Sequence, residues 1–128
     1  MDVVRASAAA YIRGDVDGVV RDFDRDVVIR PDPNWPQNRP VLGGDAGRSF
    51  ITDLMTTLVP TGELGHMEMI DAGDRVVTRF QAHAHGQLSG LESEFTFTNI
   101  HTFRRGKVVM LEYFFDHQEA LEASGLSE

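Results

Sequence analysis

Apolar residues recur at helical intervals through the first half of the chain and at every second position through most of the remainder. Val4, Ala8, Tyr11 and Ile12 form one stripe of the alanine-rich segment Val3–Arg13, which predicts a helix with one buried face. Gly14 ends that segment, and Asp15 is placed to cap a second helix with Val16, Val19, Val20 and Phe23 opposite Arg21, Asp22 and Arg25. Val27–Ile29 is rich in β-branched residues and reads as a short strand. Pro31, Pro33, Pro36, Pro40 and the pair Gly43–Gly44 then make a stiff, irregular loop, a type that often serves as a lid or binding loop in small domains. Asp45 can cap a third helix carrying Phe50, Ile51, Leu54, Met55 and Leu58, which Pro60 terminates.

Beyond Pro60 the period changes to two. Strands are predicted over Glu63–Ile70, Arg75–His85, Glu94–Arg104 and Val108–Phe115, separated by turn signals at 71–74, 86–90 and 105–107. This spacing implies an antiparallel meander. A last short helix, His117–Ala123, closes at Gly125. Helices first and strands afterwards define an α+β domain with helices on one face of a curved sheet. There is no internal repeat or linker, so residues 1–128 read as a single domain.

Alternation also sorts the side chains by face. Phe95, Phe97, Asn99, His101 and Phe103 share one side, and the three phenylalanines mark that side as interior, which carries Asn99 and His101 inward. Val109, Leu111, Tyr113 and Phe115 are the inward set of the last strand, leaving Glu112 outside. In Arg75–His85 the apolar set is Val76, Thr78, Phe80, Ala82 and Ala84, so Arg79, Gln81, His83 and His85 face out. The His83-Ala-His85 spacing could hold a metal, but no third ligand lies nearby, and surface or interface histidines are the expectation.

Composition narrows the classes. Apolar content of 41% and charged content of 25% are those of a globular chain, and no apolar run approaches the ~18 residues of a membrane span. The first residues hold Asp2, Arg5 and Arg13 and do not read as a secretory leader. A net charge of −8 and a pI near 5.0 argue against nucleic acid, because a phosphate backbone requires a basic patch and the chain's adjacent basic pair is Arg104–Arg105. Without cysteine there is no disulfide or thiolate metal site, and a reducing cytoplasm is the default expectation.

Several segments in order carry a family resemblance. The step Tyr11-Ile-Arg-Gly-Asp-Val-Asp-Gly-Val-Val-Arg-Asp-Phe, the strand lead-in Gly73-Asp-Arg-Val-Val, the hairpin Phe97-Thr-Asn-Ile-His-Thr-Phe-Arg with Gly106-Lys-Val-Val, and Glu112-Tyr-Phe-Phe-Asp before a helix ending Ser124-Gly-Leu resemble the SnoaL-like and ketosteroid-isomerase-like members of the nuclear transport factor 2-like superfamily. The resemblance implies a cone: a strongly curved, mostly antiparallel sheet wrapped around three N-terminal helices, with a short C-terminal helix. It implies no single function, since this scaffold hosts isomerases, epoxide hydrolases, dehydratases, cyclases and binding modules.

The family's catalytic sets transfer only in part. In ketosteroid isomerases a tyrosine and a protonated aspartate form an oxyanion hole while another aspartate moves the proton. By resemblance those places fall on Ser7, on His101, and on Pro31 or Asp32, which argues against steroid isomerisation. The water-activating set of limonene epoxide hydrolases falls on Ala82, Phe80, Tyr113, Ile29 and Pro31 and is absent. Scytalone dehydratases use two histidines and an aspartate, types that His83 or His85, His101 and Asp32 supply.

The expectation is therefore a small enzyme working by acid/base chemistry, without metal or organic cofactor, on an apolar oxygenated ligand. The resemblance implies a polyketide- or terpenoid-like substrate and a cyclisation, isomerisation or dehydration. His101 would be the acid/base, since an ordinary imidazole titrates near 6.5, with Asp32 as its partner or the alternative base and Asn99 and Tyr113 orienting an oxygen. The alternatives are a structural buried histidine, and a turn aspartate bonded to its own backbone. Tyr11, Trp35, Met55, Phe80, Phe97, Phe103, Leu111 and Phe115 would hold the apolar part. The rival class is a noncatalytic ligand-binding or dimerisation domain of the same fold. Relatives pair through the open sheet face, so a homodimer is expected, and a monomeric sedimentation profile would count against it.

Overall fold

Alanine-rich sequence with one apolar stripe winds into α1 (Asp2–Arg13) in the computed structural model of the chain. The structure describes residues 2–32, 39–86, 92–114, 116–123 and 125, with side chains at all of these except 2, 57–66, 80–86 and 92–97. At Gly14, φ is +74°, which a side-chain-bearing residue adopts only with strain, and the Asp15 N–H reaches back to the Ala10 carbonyl at 2.9 Å. Asp15 then caps α2 (Val16–Val20), its carboxylate accepting from the Gly18 N–H at 3.0 Å. A Cβ on Gly18 would lie 2.7 Å from the Ala10 Cβ, so glycine is what lets α2 fold back against α1.

The second helix is shorter than its apolar spacing predicts. Phe23 opens β1 (Phe23–Arg30) instead of closing α2, because the chain here pairs with β6 (Lys107–Phe114), starting with the Val108 N–H on the Asp22 carbonyl at 2.8 Å. A tertiary hydrogen-bond ladder outweighs the weak helical preference of a valine-rich segment. A two-residue strand that the sequence pattern does not predict, β2 (Val41–Leu42), lies on the far edge of β1.

The third helix, α3 (Gly44–Thr57), gives way directly to β3 (Leu58–Asp71), so Leu58 and Pro60 belong to a strand and not to the helix end. Proline is tolerated there because β3 is the outermost strand of its side, where a missing N–H costs little. The meander continues through β4 (Arg75–Gly86), β5 (Glu92–Arg104) and β6, and α4 (His117–Ala123) follows as predicted.

These strands form a curved six-stranded sheet in the order β2-β1-β6-β5-β4-β3. All neighbours are antiparallel except β1 and β6, which run parallel, so the sheet is mixed. The helices α1, α2 and α3 pack on its inner side, where Val27, Ile29, Leu54, Val108, Leu111 and Tyr113 form one cluster and Ala10, Val19, Ile51 and Met55 another. On the opposite face α4 covers part of the sheet, closing Ala120 and Leu121 over Val77 and Ile100. That face is thus not wholly left open.

One register shift changes a face assignment. Thr102 pairs with Met110 but Phe103 with Val108, so β6 bulges at Val109. Val108 is buried in the core and Val109 is only partly covered, the reverse of strict alternation, whereas Leu111 and Tyr113 point inward as expected. No described helix is long and apolar enough to cross a membrane.

Candidate active site

Where α1 crosses the inner face of β4, β5 and β6, the helices and the sheet leave a partly open cavity of about 50 Å3. Its helical wall is apolar and small: Val4, Ala8 and Ile12 from α1, and Ile51 and Leu54 from α3. The opposite wall is the sheet, contributing Thr78 from β4, Asn99 and His101 from β5, and Leu111 and Tyr113 from β6. Tyr11, Ser7 and Val19 complete the lining.

Register explains why these polar groups meet. Thr78 is the direct cross-strand partner of Asn99, Asn99 is that of Tyr113, and His101 is that of Leu111. Residues opposite one another in an antiparallel pair share a face, so three adjacent strands bring their polar side chains into one patch. The imidazole also stacks on Phe103, with ring centroids 6.3 Å apart and planes 19° from parallel. Tyr113 and Phe50 meet edge to face, with centroids 5.8 Å apart and planes at 82°.

The patch is buried and unsatisfied. Thr78, Asn99 and His101 are 1%, 7% and 5% exposed, yet Thr78 Oγ1, Asn99 Oδ1 and His101 Nδ1 have no hydrogen-bond partner. An orphaned buried polar atom costs about 1–3 kcal/mol, so the large majority of such side-chain groups in folded proteins are paired. Three such atoms in one cavity are open to a ligand or an ordered water.

Burial also sets the protonation states. It pushes His101 down to about 4, so the imidazole is neutral at pH 7. It pushes the Tyr11 phenol up to about 12, and raises Tyr113 as well, with the neighbouring Tyr11 adding to the rise. Both phenols therefore stay protonated across the physiological range. None of the described lining residues carries a formal charge at pH 7. Among the described residues no three His, Asp or Glu side chains gather as a metal site would require.

Of the residues singled out in the sequence, His101, Asn99, Tyr113, Tyr11 and Leu111 meet in this cavity. Asp32 is not among the residues that line it: the residue is fully buried beyond the end of β1. Met55 packs one layer behind, with Ala10, Val19 and Ile51, and Phe103 supports His101 from the core side. Trp35 and Phe115 lie outside the described residues, as do the side chains of Phe80 and Phe97 and of His83 and His85.

Thr78 is the functional candidate that alternation passed over. Alternation groups it with apolar neighbours, although a lone hydroxyl between Val76 and Phe80 on an inward face is itself a readable signal. Ser7, the place of the isomerase tyrosine, does line the cavity, but its hydroxyl donates across to the Val19 carbonyl at 3.4 Å.

A curved mixed sheet closed over three helices, with its polar groups gathered on the concave side, is the architecture of the nuclear transport factor 2-like proteins. Within that class the sequence matches the profile of the SnoaL-like domain over residues 4–111, and the chain belongs to that family. Its fold is shared by an NTF2-like protein of unknown function from Burkholderia pseudomallei (25% identity, 95% of this chain and 94% of that one, TM-score 0.78). TerC, crystallised with polyporic acid, is similar at 25% identity over 97% of this chain and 96% of its own, with a TM-score of 0.74. A protein from Pseudomonas putida that carries the provisional name polyketide cyclase shares the fold at 16% identity, 94% and 93% coverage and a TM-score of 0.77. A comparison with curated proteins finds no match.

Proposed function

We propose that the protein is a small-molecule enzyme that moves a proton on an apolar, oxygenated polyketide- or terpenoid-like substrate, in a cyclisation, isomerisation or dehydration that uses no cofactor. The observation that carries this reading is the neutral, buried His101 with its Nδ1 unpartnered in an apolar cavity. Kinship with solved proteins named for polyketide cyclisation supports it.

The protonation states divide the labour. A neutral imidazole can take a proton from a carbon beside a carbonyl, or donate an N–H hydrogen bond to an oxygen, but at pH 7 it holds no imidazolium proton to give. The proton donors of the site are then the phenols of Tyr11 and Tyr113, kept protonated by burial and facing the same space. Asn99 orients the reacting oxygen. The enclosed volume admits the reacting end of a substrate, whose remainder lies towards the open side of the cavity.

Turnover of apolar ketones, epoxides and polyketide fragments by wild type and His101→Ala tests the assignment. Loss of a positioned acid or base typically costs about 10²–10⁴ in rate, and an H101A variant that turns over a found substrate undiminished would sink it. A second reading, a noncatalytic ligand-binding domain, draws on Ser7, whose hydroxyl is committed to Val19 where the isomerases place a catalytic tyrosine. Saturable binding with no turnover across the panel would favour it.

A further inference from the structure

The orphaned atoms on the sheet wall say more about the ligand than that one binds. Asn99 Oδ1 can only accept a hydrogen bond; the Thr78 hydroxyl and a neutral imidazole nitrogen can each act in either sense or by tautomer. A ligand offering only acceptors, such as an ether or a simple ketone, could answer Thr78 and His101 but would leave Asn99 Oδ1 as orphaned as before. A ligand that brings its own O–H or N–H answers the whole patch.

Charge narrows it further. None of the described lining residues supplies a cation, and the chain as a whole carries −8, so a carboxylate driven into this cavity would be desolvated with no counter-charge. Across from the patch Val4, Ala8, Ile12, Ile51 and Leu54 receive an apolar body, beside Ser7, whose hydroxyl is committed to the Val19 carbonyl, and the Tyr11 phenol. Apart from the phenols of Tyr11 and Tyr113, the polar part of a ligand is met at the edge of β4 and β5.

We infer that Thr78 and Asn99, paired across β4 and β5, form with His101 a recognition edge selecting an uncharged ligand that presents a hydroxyl or N–H donor, and that Thr78 is a binding residue of this site. This rests on the reading that the cavity takes a small ligand, and it names that ligand's class. Thr78 has no hydrogen-bonding duty within the protein, so its hydroxyl is free to serve a ligand and its loss leaves the fold intact.

The test uses a matched trio of probes: phenol, which donates and accepts; anisole, which only accepts; and benzoate, which is charged. Binding is read by calorimetry and by histidine NMR shifts for wild type, Thr78→Val and Thr78→Ser. Phenol is expected to bind wild type more tightly than anisole or benzoate. T78V should weaken phenol by about five- to tenfold, the worth of one hydrogen bond, and should keep or raise the melting temperature. T78S should bind phenol like wild type. If none of the three probes binds wild type, the small-ligand reading falls and takes this inference with it. If probes bind but benzoate equals phenol, or T78V equals wild type, the donor-selective edge is wrong while ligand binding stands. A T78V variant that melts well below wild type would show a structural role for the hydroxyl and overturn the assignment.

Discussion

The two faces of the sheet at β4 and β5 bury similar residues and treat them differently. On the outer face Thr98 is 1% exposed, and its hydroxyl meets His117 Nδ1 at 2.9 Å, while Ala120 and Leu121 of α4 seal Val77 and Ile100 beneath them. On the inner face Thr78 is equally buried and a histidine is again close by, but Thr78 Oγ1 and His101 Nδ1 have no partner. The residue types match; only satisfaction of the polar groups differs. A threonine–histidine contact that closes on itself fastens a helix to a sheet, whereas one left open beside a cavity spends stability on a surface complementary to something else.

Truncating the outer seal should show the largest stability effect. Leu121→Ala opens a void under α4 and should cost about 2–5 kcal/mol in denaturant unfolding, with phenol binding on the inner face unchanged. A loss of binding equal to the loss of stability would mean the two faces are not independent.

Acid should next single out the inner face. His101 is pushed down to about 4 in the folded protein from its ordinary 6.5, so as pH falls the unfolded chain takes up this proton first. The stability lost to this group is therefore nil above about 6.5, grows between 6.5 and 4, and amounts to about 3 kcal/mol once pH is below both values. Unfolding of wild type and His101→Gln compared from pH 7 to pH 4 isolates it, because the carboxylates contribute to both. Parallel acid limbs would show that the imidazole is not buried as described.

The smallest effect makes the sharpest contrast. Thr98→Val leaves His117 without its partner and should cost about 1 kcal/mol, while Thr78→Val removes an atom that had none and should be neutral or stabilising. Equal losses at the two positions would erase the distinction between the faces.

The inward course of Asn99 and His101 was legible in the sequence because Phe95, Phe97 and Phe103 alternate with them, and aromatic residues at period two leave little doubt about which side is interior. The helix α4 was legible to its ends, and so was the turn from α1 into α2, since Gly14 and Asp15 act within a few residues of one another. Asp32 shows the limit: a carboxylate between prolines invites a functional reading, but whether it reaches the cavity depends on where β1 ends against β6, strands some eighty residues apart in the chain. The bulge that turned Val108 inward in place of Val109 was invisible for the same reason, being a mismatch between two strands and not a property of either.

By itself, then, the sequence determined what hydrogen bonds and side-chain periods a few residues apart can determine: the α+β order, most strand positions, the faces of β5 over 98–104 and of most of β6, and a histidine and an asparagine pointed at the core. The tertiary structure alone decided that β1 lies parallel to β6, that Phe23 starts a strand, that α4 seals the outer face, and that Thr78 stands opposite Asn99. Whether a buried polar atom finds a partner depends on groups brought together from distant parts of the chain, so the unpaired atoms that define the site appear only once the sheet has closed over its helices.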